Sequence, residues 1–205
     1  MNKTICVVIA SYRYGHLASQ AIESILAQTE RPEKILFVDD GVGDCKHLPS
    51  LYPEVEYVFR ETNLGTVANF QDMLERVQTE KVLFLGADNW LRSDTVEILN
   101  KTDEDIVVYD IMVTGELKDE ILKRHPSEVS KLRGDWYWDR SGGHHGSMLY
   151  NVKKAKEAGG YGHGGGRRTE EDQVLYNRML AKGATRRHIP EGLLYYRRHR
   201  ENFNQ

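Results

Sequence analysis

Apolar residues in this chain form short continuous runs that alternate with amphipathic segments. Within residues 4–10 and 34–38, every position after the first is apolar, a pattern typical of strands that a parallel sheet buries on both faces. Residues 17–29 and 66–77 place their apolar side chains at helical spacing instead. The first half reads as strands 4–10, 34–38, 56–59, 81–85 and 105–113, with helices 17–29, 66–77 and 93–100. This order predicts an α/β fold with a doubly wound, mainly parallel sheet flanked by helices, and Ser93 is the predicted N-cap of the third helix.

The second half of the chain is less regular. Gly115 to Arg140 is charged and then aromatic, which predicts loops and one short helix. The pattern beyond it predicts strands 147–150 and 193–196 and helices 152–158 and 171–182, with Gly183 at the C′ position. The run from Gly159 to Gly166 has six glycines in eight positions. It lacks the Lys-Ser/Thr of a P-loop, so we interpret it as a mobile lid.

Composition indicates one large soluble domain. The chain has 205 residues, 40% of them hydrophobic, and a net charge of -3, which excludes a general electrostatic affinity for nucleic acid. Arginines concentrate in the last fifth, which suits a phosphate-bearing ligand or a solvated surface. Two cysteines give no disulfide framework, and Cys6 is expected to be buried. The N-terminal apolar stretch is too short to span a membrane, so a cytoplasmic protein without a transmembrane segment is predicted, with peripheral membrane contact left open.

Carboxylates mark three predicted pocket edges. Asp39 and Asp40 follow one strand and Asp88 follows another, and ligands bind past the carboxyl ends of such strands. Glu171 and Asp172 begin a predicted helix. This order suits an enzyme that holds a nucleotide and a metal and deprotonates an acceptor. Each site also has a plainer interpretation, namely a turn, a helix cap and acidic residues favouring a helix N-terminus.

The chain resembles the family 2 glycosyltransferases of the GT-A fold over essentially its whole length. Four motifs carry the resemblance in order: Val8 to Tyr12; Ala21 to Thr29 with Phe37 to Gly41 and Asp44; Asn63-Leu64-Gly65 with Asn69; and Glu171-Asp172 with Arg178, Gly183, Tyr196, Arg197 and His199. The resemblance implies a single domain, 1–205. Residues 1–100 would bind the nucleotide-sugar, and residues 101–205 would bind the acceptor and supply the catalytic base.

The resemblance assigns a donor site to the first half. The implied nucleotide-binding residues are Ala10, Ser11, Tyr12, Asp39, Asn63, Gly65, Asn69 and Ala87. Asp39 would accept a hydrogen bond from a uracil N3–H, with Ser11 and Tyr12 lining the base.

The resemblance also assigns a metal site. Gly86-Ala87-Asp88-Asn89 stands where the family has an Asp-X-Asp motif, and Gly86 replaces the first Asp. Asp88 remains as a ligand for Mn²⁺ or Mg²⁺, since both prefer oxygen ligands, and His199 is the second candidate ligand.

The acceptor side is assigned to the second half. Asp172 resembles the general base of an inverting transferase, and Glu171 is its neighbour in acceptor binding. Gly143 and His144 belong to a glycine-rich segment that we interpret as an acceptor-site loop, because adjacent histidines do not match the spacing of zinc sites.

The predicted function is inverting transfer of a sugar from a nucleotide-diphosphate sugar, UDP-linked by expectation, to an acceptor hydroxyl. The acceptor would be a glycan, a glycolipid or another hydroxyl-bearing molecule, and a nucleic acid acceptor stays open. A nucleotide-sugar-binding protein without transfer is the alternative, because Gly86 weakens the metal motif. A nucleotidyltransferase is disfavoured, because Ser11 to Tyr14 replaces its glycine-rich, lysine-bearing signature.

Overall fold

The computed structural model describes residues 4–132, 135–141, 145–161 and 171–202. Its strands are β1 Ile5–Ser11, β2 Lys34–Asp39, β3 Glu56–Phe59, β4 Lys81–Gly86, β5 Trp90–Leu91, β6 Ile106–Thr114, β7 Val129–Leu132, β8 Asp135–Trp138, β9 Met148–Asn151 and β10 Arg186–Arg197. Its helices are α1 Ala18–Leu26, α2 Leu48–Leu51, α3 Thr66–Arg76, α4 Thr95–Asn100, α5 Asp119–Arg124, α6 Val152–Glu157 and α7 Glu171–Ala181, with one 3₁₀ turn at His145–Ser147.

The strands form one sheet in the order β3-β2-β1-β4-β9-β6-β10-β5, and the β7–β8 hairpin attaches to β6. Strands β3, β2, β1 and β4 are parallel to one another, and β6 is parallel to β10. Strand β9 lies antiparallel between β4 and β6 and so joins the two parallel groups. The predicted α/β architecture, a mainly parallel sheet flanked by helices, is confirmed.

The sheet is buried on both faces, as the continuously apolar strands predicted. In β1, Ile5, Val7 and Ile9 pack into a core on the face covered by α1 and α4. Cys6 and Val8 point to the opposite core, which α3, α6 and α7 cover. Alternate side chains of one strand thus pack into both cores. Their burial stabilises the fold by about 25 cal/mol for each Å² of apolar surface removed from water.

The second half contains more strand than the pattern predicted. The segment expected to hold loops includes the β7–β8 hairpin, and β10 has twelve residues, with register shifts around Gly192. The Ser93 cap is wrong, because α4 begins at Thr95 and makes no side-chain cap hydrogen bond with its N-cap residue. The Gln28 side chain accepts a hydrogen bond from the Val96 N–H at 2.9 Å instead, so a neighbouring element satisfies this helix start.

Backbone hydrogen bonds bring the carboxyl ends of three strands to one edge. The Asp40 N–H donates to the Ser11 carbonyl, and the Ala87 N–H donates to the Ala10 carbonyl, both at 2.9 Å. Gly183 has φ +82°, which confirms the predicted C′ glycine after α7. Within the described parts of the chain, every helix is too short or too polar to cross a lipid bilayer.

Candidate functional site

A cavity of about 460 Å³ lies at this edge of the sheet. Strand ends, the loop before α3 and the first residues of α7 surround it. Its lining residues are Ala10, Ser11, Tyr12, Tyr14, Asp40, Asn63, Gly65, Thr66, Asn69, Phe70, Gly86, Asp88, Asn89, Gly146, Glu171, Asp172, Tyr196 and Asn202. Residues from both halves of the chain therefore face one space.

Asp40 organises the side of the cavity that comes from the first half. Its carboxylate accepts hydrogen bonds from the Leu64 N–H and from the Asn63 side chain, both at 3.1 Å, and from Arg60 Nε at 3.2 Å. Burial raises the pKa of Asp40, while the Leu64 N–H and the Arg60 charge oppose that rise. Arg60 also donates to the Asn69 side-chain oxygen at 2.9 Å, so one buried guanidinium links the loop to α3.

A glycine makes the close approach of these two loops feasible. Gly41 has φ +86°, and a Cβ there would lie 2.3 Å from the Asn63 nitrogen. Only a residue without a side chain fits both constraints. The turn after β2 and the loop before α3 therefore pack backbone to backbone beside the cavity.

Asp39 occupies a different environment from its neighbour Asp40. It is fully buried, and its two carboxylate oxygens accept hydrogen bonds from the Val42 and Gly43 N–H groups at 3.0 and 2.9 Å. Asp39 does not appear among the residues that line the cavity, and Asp40 does. Contact between Asp39 and a nucleobase stays a prediction. Asp40, which the sequence placed at the same pocket edge without a role of its own, lines the cavity.

Asp88 lies where β4 ends and is held from both sides. Its Oδ1 accepts a hydrogen bond from Asn89 Nδ2 at 2.9 Å. Its Oδ2 accepts one from Asn202 Nδ2 at 3.0 Å and lies 3.2 Å from His199 Nε2. Asn89 is held in turn, because its side-chain oxygen accepts from the Arg197 N–H at 2.9 Å. The structure thus brings the two predicted metal ligands together, although they stand 111 positions apart in the chain.

Gly86 leaves the space that the Asp88 side chain uses. A Cβ at position 86 would lie 2.7 Å from Asp88 Oδ1 and 2.9 Å from Asn89 Nδ2. Those distances are well inside ordinary contact, so a larger residue here requires the Asp88 and Asn89 side chains to move. The replacement of the family's first Asp by Gly86 is therefore tied to how this chain holds Asp88.

Glu171 and Asp172 form the first turn of α7 and both line the cavity. The Asp172 Oδ1 accepts a hydrogen bond from the Gln173 N–H at 2.6 Å. Negative side chains are favoured at this end of a helix. Burial lowers the pKa of the nearby Arg140 guanidinium, and the carboxylates of Glu128 and Asp172 oppose that shift.

The remaining predicted site residues differ in whether they line the cavity. Ala10, Ser11, Tyr12, Asn63, Gly65 and Asn69 line the cavity. Ala87 is fully buried and does not appear in the lining. Gly143, His144 and most of the Gly159–Gly166 run, including its proposed lid role, lie outside the described residues.

Three residues at the site were not singled out from the sequence. Asn202 and Asn89 donate to Asp88, and Tyr14 stacks edge-on against His199 with ring centroids 5.5 Å apart. Tyr14 and Asn89 stand inside quoted motifs, so their positions gave a signal. Asn202 had none, because its partner lies 114 positions away.

The donor set at Asp88 suits a divalent cation. Mg²⁺ is commonly held by one or two carboxylates, with substrate phosphates and water completing its coordination. Carboxylates also suit Mn²⁺, and imidazole is a ligand for first-row transition metals. Asp88 and His199 supply one carboxylate and one imidazole nitrogen at the cavity edge. Two groups of three potential ligands occur elsewhere among the described residues, Asp39 with Asp44 and Cys45, and Asp110 with Asp139 and His188. No residue of either group lines the cavity.

Comparison with known protein families identifies the family to which the chain belongs. A model described as "Glycosyl transferase family 2" matches residues 6–159, more than half of the chain. The chain belongs to glycosyl transferase family 2. This confirms the resemblance drawn from the four sequence motifs.

Curated relatives agree with the family 2 assignment. The glycosyltransferase GlyA of Streptococcus pneumoniae serotype 4 is 28% identical over 106 residues, which are 49% of this chain and 15% of that protein. An uncharacterized glycosyltransferase of Nostoc sp., alr2836, is 33% identical over 90 residues, which are 42% of this chain and 28% of that protein. The matches thus span less than a third of either relative.

Solved structures confirm the GT-A fold of this family 2 chain. The crystal structure of S. aureus TarS 1-349 superposes with a TM-score of 0.72 at 14% identity, covering 95% of this chain and 60% of that one. The complex of TarS 1-349 with UDP-GlcNAc gives a TM-score of 0.71 at 14% identity, covering 97% and 60%. At this identity the likeness concerns the fold.

Proposed function

We propose that this family 2 chain transfers a sugar from a UDP-linked donor to an acceptor hydroxyl with inversion at the anomeric carbon. Asp172 is the general base, Glu171 contributes to acceptor binding, and Asp88 and His199 are the ligands of a divalent metal.

One observation carries the proposal. The carboxylates of Asp172 and Asp88 face the same cavity, together with the donor-side residues at the ends of β1 and β2. Inverting transfer needs a base on one side of the anomeric carbon and a stabilised leaving group on the other. A cavity lined by both carboxylates can serve a base and a leaving-group site around one bound donor.

Asp172 accepts the proton in the proposed step. The acceptor oxygen forms a bond to the anomeric carbon while its proton passes to the Asp172 carboxylate. The bond from that carbon to the diphosphate oxygen breaks, and the nucleoside diphosphate leaves with the electron pair. Position at the start of α7 favours the ionised form of the base before it accepts the proton.

The proposed metal site would assist departure of the diphosphate. A divalent cation held by Asp88 and His199 would neutralise negative charge that develops on the leaving group. The chain's own part is to hold Asp88, which it does through hydrogen bonds to both carboxylate oxygens.

The donor class is inferred from the fold and the lining. TarS, whose fold this chain shares, has been crystallised with UDP and with UDP-GlcNAc. In this chain Ser11, Tyr12 and Asp40 line the cavity beside the parallel strands, and backbone and side-chain polar groups there suit a nucleoside. We assign the base-facing carboxylate to Asp40, because Asp40 lines the cavity and Asp39 does not.

Gly86 favours a second candidate, a nucleotide-sugar-binding protein without transfer. The first Asp of the family motif is missing, and the space is filled by the Asp88 and Asn89 side chains. The presence of Glu171 and Asp172 at the cavity argues for transfer.

The Asp172→Asn variant separates the two candidates. We expect donor hydrolysis and transfer, followed over a panel of UDP-linked sugars, to fall by at least about 100-fold, the lower end for loss of a general base. UDP affinity by calorimetry should stay within about threefold, since an isosteric amide keeps the volume of the side chain.

The matched control is Glu97→Gln, which neutralises a first-turn carboxylate of α4 that does not line the cavity. Full activity of Asp172→Asn would remove Asp172 from the mechanism. A wild-type protein that binds UDP and neither hydrolyses nor transfers any donor would support the second candidate.

A further inference from the structure

Asn202 connects the two sides of the metal pair through one side chain. Its Nδ2 donates to Asp88 Oδ2 at 3.0 Å and to the Arg197 carbonyl at 3.1 Å. Its Oδ1 accepts a hydrogen bond from the His199 N–H at 2.7 Å. With only 7% of its surface exposed, the amide is oriented by all three contacts.

These contacts fix both members of the pair relative to each other. The bond to Asp88 orients the carboxylate, and the bond to the His199 backbone holds the turn that follows β10. The amide adds no charge, so it holds the carboxylate without neutralising it. Groups of this kind behind metal ligands set ligand orientation, and their loss typically weakens metal affinity or activity by about 10- to 100-fold.

We propose that Asn202 is a positioning residue that holds Asp88 and His199 in the geometry needed to bind the divalent cation. The inference rests on the proposed function, which assigns the metal to that pair. Asn202 itself is not a ligand in this proposal, and it acts through Asp88 and through the His199 turn.

Two variants of Asn202 test the proposal. Asn202→Ala removes all three hydrogen bonds. In Asn202→Ser the side chain is one bond shorter, so the donor to Asp88 is lost, while a polar group that can hydrogen-bond within the turn is kept. The second variant keeps the test decisive if the first one fails to fold.

The matched control is Asn151→Ala. Asn151 is the N-cap of α6, and its side chain accepts a hydrogen bond from the Lys154 N–H at 3.0 Å. Its loss is expected to lower the melting temperature without affecting a site that it does not touch.

The assay follows binding and does not depend on turnover. UDP is titrated into the full chain by calorimetry at a series of Mn²⁺ concentrations, with free Mn²⁺ measured by its paramagnetic resonance signal. We expect both Asn202 variants to need at least about 10 times more Mn²⁺ for half-maximal UDP binding. UDP affinity without metal should stay within about threefold of wild type, and Asn151→Ala should match wild type in both quantities.

Two results overturn the proposal and are distinguishable. Wild-type UDP binding that does not respond to Mn²⁺ overturns the metal part of the proposed function together with this inference. A metal-dependent wild type, with Asn202 variants that lose thermal stability at unchanged Mn²⁺ dependence, overturns this inference alone and leaves Asn202 as a turn-closing residue.

Discussion

The substitution Gly86→Ala tests how this chain holds Asp88. Gly86 is the last residue of β4 and its φ is not in the left-handed region, so alanine is compatible with the backbone. The new Cβ would lie 2.7 Å from Asp88 Oδ1, whereas ordinary contact begins near 3.4 Å. The carboxylate must therefore move by about 0.7 Å, or the local backbone must shift.

The size of the effect follows from that displacement. The Asn89–Asp88 hydrogen bond is 2.9 Å long, and moving one partner by about 0.7 Å takes it out of hydrogen-bond range. A hydrogen bond to a charged group contributes about 1.5–3 kcal/mol. At 1.4 kcal/mol per factor of ten, we expect Mn²⁺-dependent UDP affinity to fall by about 10- to 100-fold, and the melting temperature to fall as well, because the bond is present without ligand.

The matched control is Gly183→Ala, which strains the backbone but brings the new side chain into contact with no other residue. Gly183 has φ +82°, and a Cβ added to it would have no other atom within 4 Å, so alanine there strains the backbone without touching the site. That variant should lose about 1 kcal/mol of stability and keep wild-type UDP affinity by calorimetry. Unchanged Mn²⁺-dependent UDP affinity in Gly86→Ala would refute the reasoning.

The remaining predictions concern stability and thiol chemistry. Asp40→Ala should lower the free energy of unfolding, measured in urea, by about 3 kcal/mol, because it breaks a buried ion pair with Arg60. The control Asp94→Ala breaks a more exposed ion pair and should cost less than about 1 kcal/mol. Equal losses in the two variants would contradict the stronger contribution of the buried pair. Burial raises the pKa of Cys6 and Cys45 to about 12, so iodoacetamide at pH 8 should label both by mass spectrometry only in urea. Since unfolded thiols ionise near pH 9 and these do not, their contribution to stability should decline as pH rises from 9 toward 12; rapid labelling of the native chain would contradict the assigned burial.

The sequence pattern predicted elements well where a strand is apolar along its whole length. Strand β1 is an example, because both of its faces meet a core. Strand β10 was predicted only over residues 193–196, since its first residues, Arg186 and Arg187, are exposed and polar. The β7–β8 hairpin was missed for a related reason, because its pairing with β6 depends on tertiary contact rather than on a long apolar run.

The site was predictable in its residue types and less so in its orientations. The order of the sequence motifs identified Asp88, His199 and Asp172 as candidate site residues, and the structure places them around one edge of the sheet. Which of two adjacent carboxylates faces the cavity depends on how β2 ends. There the Val42 and Gly43 N–H groups donate hydrogen bonds to Asp39 and hold its side chain in the turn. No periodicity in the sequence indicates which of the two carboxylates is held in this way.

The long separation between Asp88 and His199 has a consequence for how the protein folds. Partners 111 positions apart meet only after a large loop has closed, and contacts of such high sequence separation are formed slowly. A refolding chain is therefore expected to regain helix and strand signals before it can respond to nucleotide and metal. Because a ligand that binds only the native state stabilises it by mass action, UDP with Mn²⁺ should protect the folded chain from proteolysis.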